Sequence, residues 1–246
     1  MNPELIKSST RAIDHLAFAL DVNDPQIALC LVESLSGRVG YFKIGLELFA
    51  SLGPQFVTAV REKAPESGLF LDLKLHDIPV TVGRAVKALA YLKPDLLTIH
   101  AQGGQAMMKA AVEEAGESVI LAVTVLTSLT SADFPLLSSP DSSPRAYALS
   151  LADKAVVAGC QGLVCSPLEA SDLRAKLGPE PLLVVPGVRP SWMKISNDDQ
   201  KRAASVESAL AAGADLLVVG RPIRQAPDPA QAAERICQEI ALALKL

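Results

Sequence analysis

Zinc-type cysteine spacing is missing from this chain of 246 residues. The four cysteines, Cys30, Cys160, Cys165 and Cys237, form no C-x-x-C, and no histidine joins them at ligand spacing. That excludes a zinc knuckle and leaves free thiols, in keeping with a reducing compartment. Basic residues are not in excess: 23 Lys and Arg stand against 27 Asp and Glu, a formal charge of −4. A protein that holds nucleic acid or an anionic membrane through its overall field carries the opposite sign. No apolar run approaches the roughly 20 residues that cross a bilayer. Residues 1–14 carry Glu4, Lys7, Arg11 and Asp14 and lack the apolar stretch of a signal peptide. A soluble, cytoplasmic protein without nucleic-acid or membrane partners is expected.

What the chain does have is apolar content, 50% of its residues, enough for a large core. Short apolar runs alternate with helix-like segments throughout. Strands are predicted at 16–20, 41–44, 69–73, 96–99, 119–125, 162–165, 182–185 and 216–219. Helices are predicted at 25–35, 54–63, 81–91, 105–115, 145–158, 168–177, 206–211 and 229–244. Strand–helix alternation implies parallel pairing through right-handed crossovers. Eight such units in this length predict an α/β fold, a single-domain (β/α)8 TIM barrel over residues 1–246, with a short N-terminal helix-like extension. An open doubly wound sheet would carry a glycine fingerprint after its first strand, and Asp21-Val22-Asn23-Asp24-Pro25 is not one. Two longer loops, residues 127–144 and 187–201, are candidate binding loops.

Charge gathers where the strands end. Asp21 follows the first apolar run, Lys43 ends the second, Asp72 and Lys74 the third and His100 the fourth. Thr127, Pro186-Gly187 and Gly220-Arg221 follow the fifth, seventh and eighth. The opposite strand ends read as poorer in charge. Barrel enzymes work at the C-terminal strand ends, so the pattern points to an active site there. Asp72 and Lys74, two apart on a strand, share a face, and charges at the end of an apolar strand are costly unless paired or used. Gly220 and Arg221, with Arg189 and Gln200 from the loop before, suit a phosphate group. Plainer readings stand beside these. Asp21 can cap the helix near Pro25, and Asp77 the helix near Pro79. His15, His76 and His100 can be structural, and Gly103-Gly104 can be a tight turn.

The stretch Asp72-x-Lys74-x-x-Asp77-Ile78-Pro79-x-Thr81-Val82 resembles the signature of the orotidine 5′-monophosphate decarboxylase family. So do Ala19-Leu20-Asp21, Phe42-Lys43-Ile44-Gly45, Thr98-Ile99-His100-Ala101, Thr124-Val125-Leu126-Thr127-Ser128, Pro186-Gly187-Val188-Arg189-Pro190 and Val219-Gly220-Arg221-Pro222-Ile223, in order along the chain. Val80 stands where many members carry a polar residue. The resemblance implies a carboxy-lyase that converts OMP to UMP and CO2 in pyrimidine nucleotide biosynthesis, with no metal and no cofactor. It implies a homodimer with sites shared across the interface: Lys43, Asp72 and Lys74 from one subunit, Asp77, Ile78 and Thr81 from the other. Asp21 and Lys43 would hold the ribose hydroxyls, Thr127 the pyrimidine, and Gln200, Gly220 and Arg221 the phosphate, with Arg189 on the closing loop and Pro186 a further substrate-binding residue. Lys74 would be the proton donor, kept charged by Asp72 and Asp77. A magnesium-dependent sugar-phosphate lyase and a non-catalytic nucleotide-binding barrel are the alternatives.

Overall fold

The computed structural model describes residues 3–129, 143–192 and 204–246. Eight parallel strands close into a barrel: Leu16–Ala19, Tyr41–Gly45, Gly68–Leu75, Leu96–His100, Val119–Val123, Gly162–Val164, Leu182–Pro186 and Leu216–Val219. Each pairs with its sequence neighbour, and the eighth returns to the first through Leu16↔Leu217 and Phe18↔Val219. The runs are apolar without alternation because both faces are buried. One face fills the barrel and the other carries the helices.

Helices follow the strands, and their starts are written in the sequence. Four of them open on an Asp-Pro or Ser-Pro step: Pro25–Leu35, Pro144–Val157, Pro167–Leu177 and Pro229–Leu244. Asp24, Ser143, Ser166 and Asp228 accept hydrogen bonds from backbone N–H groups of the first turn. Proline loses nothing at that position, since its missing N–H would have had no partner there. The second helix differs from expectation. It starts at Leu46, directly after the strand, and runs to Lys63 across a kink where Gly53 takes φ 67° ahead of Pro54. The Gly-Pro step has the signature of a helix start, which is why the sequence places the boundary there. A helical turn, Arg221–Arg224, follows the eighth strand and has no counterpart among the predicted elements.

Two apolar layers result. Inside the barrel, Ala17, Tyr41, Phe70, Leu96, Leu121 and Leu216 belong to one buried cluster. Ile6, from the N-terminal helix Pro3–Lys7, joins that cluster. Lys7 holds the helix in place by donating to the carbonyls of Pro179 and Glu180. Outside the strands a larger cluster includes Phe18 and Phe42, whose rings meet edge-on at 6.4 Å. Each such side chain taken from water contributes about 1.5–3 kcal/mol. No helix among the described residues is long and apolar enough to cross a membrane.

The N-terminal strand ends are not poor in polar groups, as the sequence suggested. Asp95, Gln161 and Asp215 stand one residue before the fourth, sixth and eighth strands. Their side chains accept from the backbone N–H of Leu69, Ile120 and Leu183 on the preceding strands. His15 is structural, as expected, with Nδ1 2.8 Å from the Asp215 carbonyl oxygen.

Candidate active site

A cavity of about 620 Å³ opens at the C-terminal ends of the strands. Its floor and walls bring together Asp21, Lys43, Asp72, Lys74, Thr127, Pro186, Arg189, Gly220 and Arg221, from six different strand ends. The charged groups form a chain. The Lys43 ammonium lies 3.2 Å from Asp21 Oδ1 and 3.2 Å from Asp72 Oδ2. The other Asp72 oxygen accepts from Lys74 Nζ at 2.7 Å. Asp21 is thus occupied with Lys43, and the capping of the helix at Pro25 falls to Asp24.

Lys43 and Asp72 are buried, 8% and 9% exposed. Burial alone pulls an ammonium toward neutrality, but Asp72 and Asp21 outweigh it and hold the Lys43 pKa above its ordinary value. Burial likewise pushes a carboxylic acid up, yet Lys43 and Lys74 prevail and bring Asp72 down to about 2. Lys43 and Asp72 are therefore both ionised at neutral pH. A buried charge stripped of every partner costs several kcal/mol, so buried Lys43 and Asp72 depend on each other.

The third strand reaches this arrangement by leaving regular geometry. Its register with the fourth strand slips between Leu71 and Leu75. Lys74 takes φ 49°, in the left-handed region that bulky residues avoid. Its N–H finds the hydroxyl of Thr98 at 2.9 Å in place of a backbone carbonyl. The same hydroxyl donates to Asp72 Oδ1 at 3.0 Å. Sequence reasoning gave Thr98 no role, because one hydroxyl in an apolar run looks like ordinary strand composition.

At the far end of the cavity, Gly187 and Arg189 face Gly220, Arg221 and Arg224 from the eighth unit. Gly220 is the N-cap of the turn Arg221–Arg224, where Pro222 has no N–H and those of Ile223 and Arg224 are bonded to the Gly220 carbonyl, so the guanidinium groups of Arg189, Arg221 and Arg224 are the cationic donors at this end. Arg224 was not anticipated. Its spacing of three from Arg221 would have revealed it had the segment been read as helical. Gln200 and most of loops 127–144 and 187–201 lie outside the described residues.

Asp77, Ile78 and Thr81 are exposed and do not line this cavity. Asp77 does not cap the helix Pro79–Leu89 through its first-turn amides. Among the described residues its carboxylate accepts only from the next residue's N–H, at 2.6 Å, and the N-cap position falls to Ile78. Ile78 is 65% exposed, an unusual cost for an isoleucine. His100 differs from the hydrogen-bonded structural role expected of it. Its Nδ1 is buried without a partner among the described residues, and its ring lies 5.3 Å from that of His76. Burial, then His76 and Lys74, lower its pKa. Gly103-Gly104 is a turn, with Gly104 at φ 86°. All four cysteines are free. Among the described residues no three His, Cys, Asp or Glu side chains gather as a metal site.

Residues 14–236 match the family described as Orotidine 5′-phosphate decarboxylase / HUMPS family. An orotidine 5′-phosphate decarboxylase of Thermobifida fusca is 49% identical over 225 residues, covering 92% of this chain and 95% of the relative. That of Anaeromyxobacter dehalogenans is 49% identical over 227 residues, covering 91% and 96%. The crystal structure of the Lactobacillus acidophilus orotidine 5′-phosphate decarboxylase superposes with a TM-score of 0.79 at 34% identity, covering 92% of this chain and 98% of that one.

Proposed function

The chain belongs to the orotidine 5′-phosphate decarboxylase family, and from that premise we propose how its residues carry out the reaction. The activity is that of a carboxy-lyase: OMP is converted to UMP and CO2, in pyrimidine nucleotide biosynthesis. The observation that carries the mechanistic reading is the unbroken ionic chain Asp21–Lys43–Asp72–Lys74 along one wall of the cavity.

When the bond from carbon six to the carboxylate breaks, its electron pair stays on the ring and CO2 leaves. No neighbouring carbonyl delocalises that pair. Lys74 is the proton source: its ammonium stabilises the developing charge and then donates to carbon six, recovering its proton from water. OMP and one proton give UMP and CO2. Asp72 lies close to the departing carboxylate. Two anions 4 Å apart repel by about 4 kcal/mol at an effective dielectric of 20, and the repulsion ends when neutral CO2 departs. Asp21 and Lys43 hold the ribose hydroxyls and Thr127 the pyrimidine, and Pro186 also lines the substrate cavity. Gln200, Gly220 and Arg221 bind the phosphate, with Arg189 on the loop after the seventh strand.

The reaction takes no metal and no cofactor in this reading. Two lysine ammonium groups flank Asp72, and a divalent cation would have to displace them. The working form is a homodimer. Asp77, Ile78 and Thr81 are exposed and do not line their own cavity, which leaves them available to the partner's and supports a shared site. The enzyme belongs in the cytoplasm, a reading that its four free thiols favour.

The test is decarboxylation of OMP followed by pyrimidine absorbance, with excess EDTA present. Sustained turnover is expected. Turnover only with added Mg2+ would overturn the metal-free reading. No turnover by folded protein would overturn the reaction itself. For the shared site, Lys74→Ala and Asp77→Ala are each inactive alone, and mixing them restores one complete site in each mixed dimer. No recovery once subunit exchange is demonstrated would refute sharing.

A further inference from the structure

We propose that Thr98 is a positioning residue for the reaction, fixing both the backbone of Lys74 and the carboxylate of Asp72 through its one hydroxyl. The inference rests on the decarboxylase reading and adds to it a residue outside the ring of groups that meet substrate.

Thr98 is wholly buried and does not line the cavity. It sits on the fourth strand, beside the place where the third strand breaks register. From Leu71 to Leu75 the third strand advances four residues, while its partner advances only from Leu97 to Ile99. The surplus leaves Lys74 without a ladder partner. A buried N–H with no acceptor costs about 1–3 kcal/mol, and a lysine held at φ 49° adds strain. The Thr98 hydroxyl supplies the acceptor at 2.9 Å. Because it accepts from Lys74, its own proton is free for Asp72 Oδ1 at 3.0 Å. Asp72 Oδ1 also takes the Lys74 ammonium at 2.7 Å. Hydroxyl, main chain, carboxylate and ammonium thus form one closed loop of hydrogen bonds. Its direction is fixed, since an N–H can only donate and a carboxylate can only accept. Removing the hydroxyl opens the loop at two points, and the proton donor loses its anchor.

Thr98→Val keeps the shape and removes the hydroxyl, while Thr98→Ser keeps the hydroxyl and removes a methyl group. With misplacement of about 1 Å costing up to roughly 100-fold in rate, Thr98→Val should lower kcat about 10–100-fold with KM for OMP little changed. Thr98→Ser should recover most of that loss. A crystal structure of Thr98→Val should show Lys74 displaced, with its ammonium no longer within hydrogen-bond reach of Asp72 Oδ1. If Thr98→Val does not fold, Thr98→Cys preserves size with only a weak donor and acceptor, and the same loss is expected in smaller degree. A kcat equal to wild type, or a drop that serine shares in full, overturns the proposal. So does a variant crystal structure with Lys74 unmoved. Failure of the wild type to decarboxylate OMP would strike the functional reading, and the crystallographic comparison would then decide the role of Thr98.

Discussion

The two ends of the barrel carry the same kind of residue to opposite purposes. At the N-terminal end, Asp95, Gln161 and Asp215 each cap the start of a neighbouring strand with a side-chain oxygen. At the C-terminal end, Asp21 and Asp72 turn to lysine ammonium groups beside an open cavity. Asp72 and Asp215 make the contrast sharp. Burial raises both, but two lysines overcome it at Asp72, whose pKa falls to about 2. At Asp215 burial prevails over the Leu183 N–H and Arg174, and the pKa rises. The 2.6 Å contact with Arg174 is still that of an ionised carboxylate. A carboxylate that meets main-chain donors holds strands together; one that meets ammonium groups beside an open cavity can act on a guest.

That comparison can be broken at either end. The largest effect belongs to Lys74→Ala. In the proposed mechanism this removes both the acid and its field, and should cost at least roughly 10⁴-fold in turnover, about 5.5 kcal/mol. Thermal unfolding should hardly move, because the side chain is half-buried and Asp72 retains Lys43. A rate assay beside a melting curve checks this, and a large fall in melting temperature would erase the distinction.

Arg174→Ala should do the reverse. It removes donors to Asp215, Gly178, Pro181 and Gly213 at the opposite end. Stranding a buried carboxylate costs about 3–5 kcal/mol of stability, read by urea unfolding. The kcat of the folded fraction should stay at the wild-type value.

Next comes acid. The folded Asp72 pKa is depressed from 3.8 to about 2. Its contribution is therefore complete above pH 4 and lost as pH falls through 2. The stability difference between wild type and Asp72→Asn should shrink by about 2 kcal/mol over that window. Denaturant titrations at several pH values measure it, and a flat difference would mean the lysines do not hold Asp72 ionised.

The smallest effect separates two aspartates three residues apart. Asp24→Ala should cost about 1 kcal/mol of stability through the lost cap and leave turnover intact. Asp21→Ala should raise KM for OMP and leave the helix in place. Parallel melts and kinetics on the two variants decide whether capping by Asp24 and the substrate holding proposed for Asp21 are separate.

Much of this was legible because it is local. The Asp-Pro and Ser-Pro steps announce helix starts, and unbroken apolar runs announce strands buried on both faces. Lys43, Asp72 and Lys74 stood out because charge is expensive in such runs. Features that read as something else were missed. Gly53-Pro54 imitates the start of a helix that begins at Leu46. Asp95 and Asp215 look like surface residues before strands until the neighbouring N–H groups are in view. Thr98 looks like a β-branched strand residue.

The sequence by itself determined the eight alternating units and which residues stand at the strand ends, since both follow from periodicity and from the cost of burying charge. Only the tertiary structure decided which ends meet. Closure of the first strand on the eighth brings Asp21 to the same cavity as Gly220 and Arg221, some 200 positions along the chain. The slip between the third and fourth strands sets Lys74 on Asp72 through Thr98. Register and closure are properties of the whole sheet, fixed by packing and ladder hydrogen bonds summed around the barrel, and no short stretch of sequence carries them.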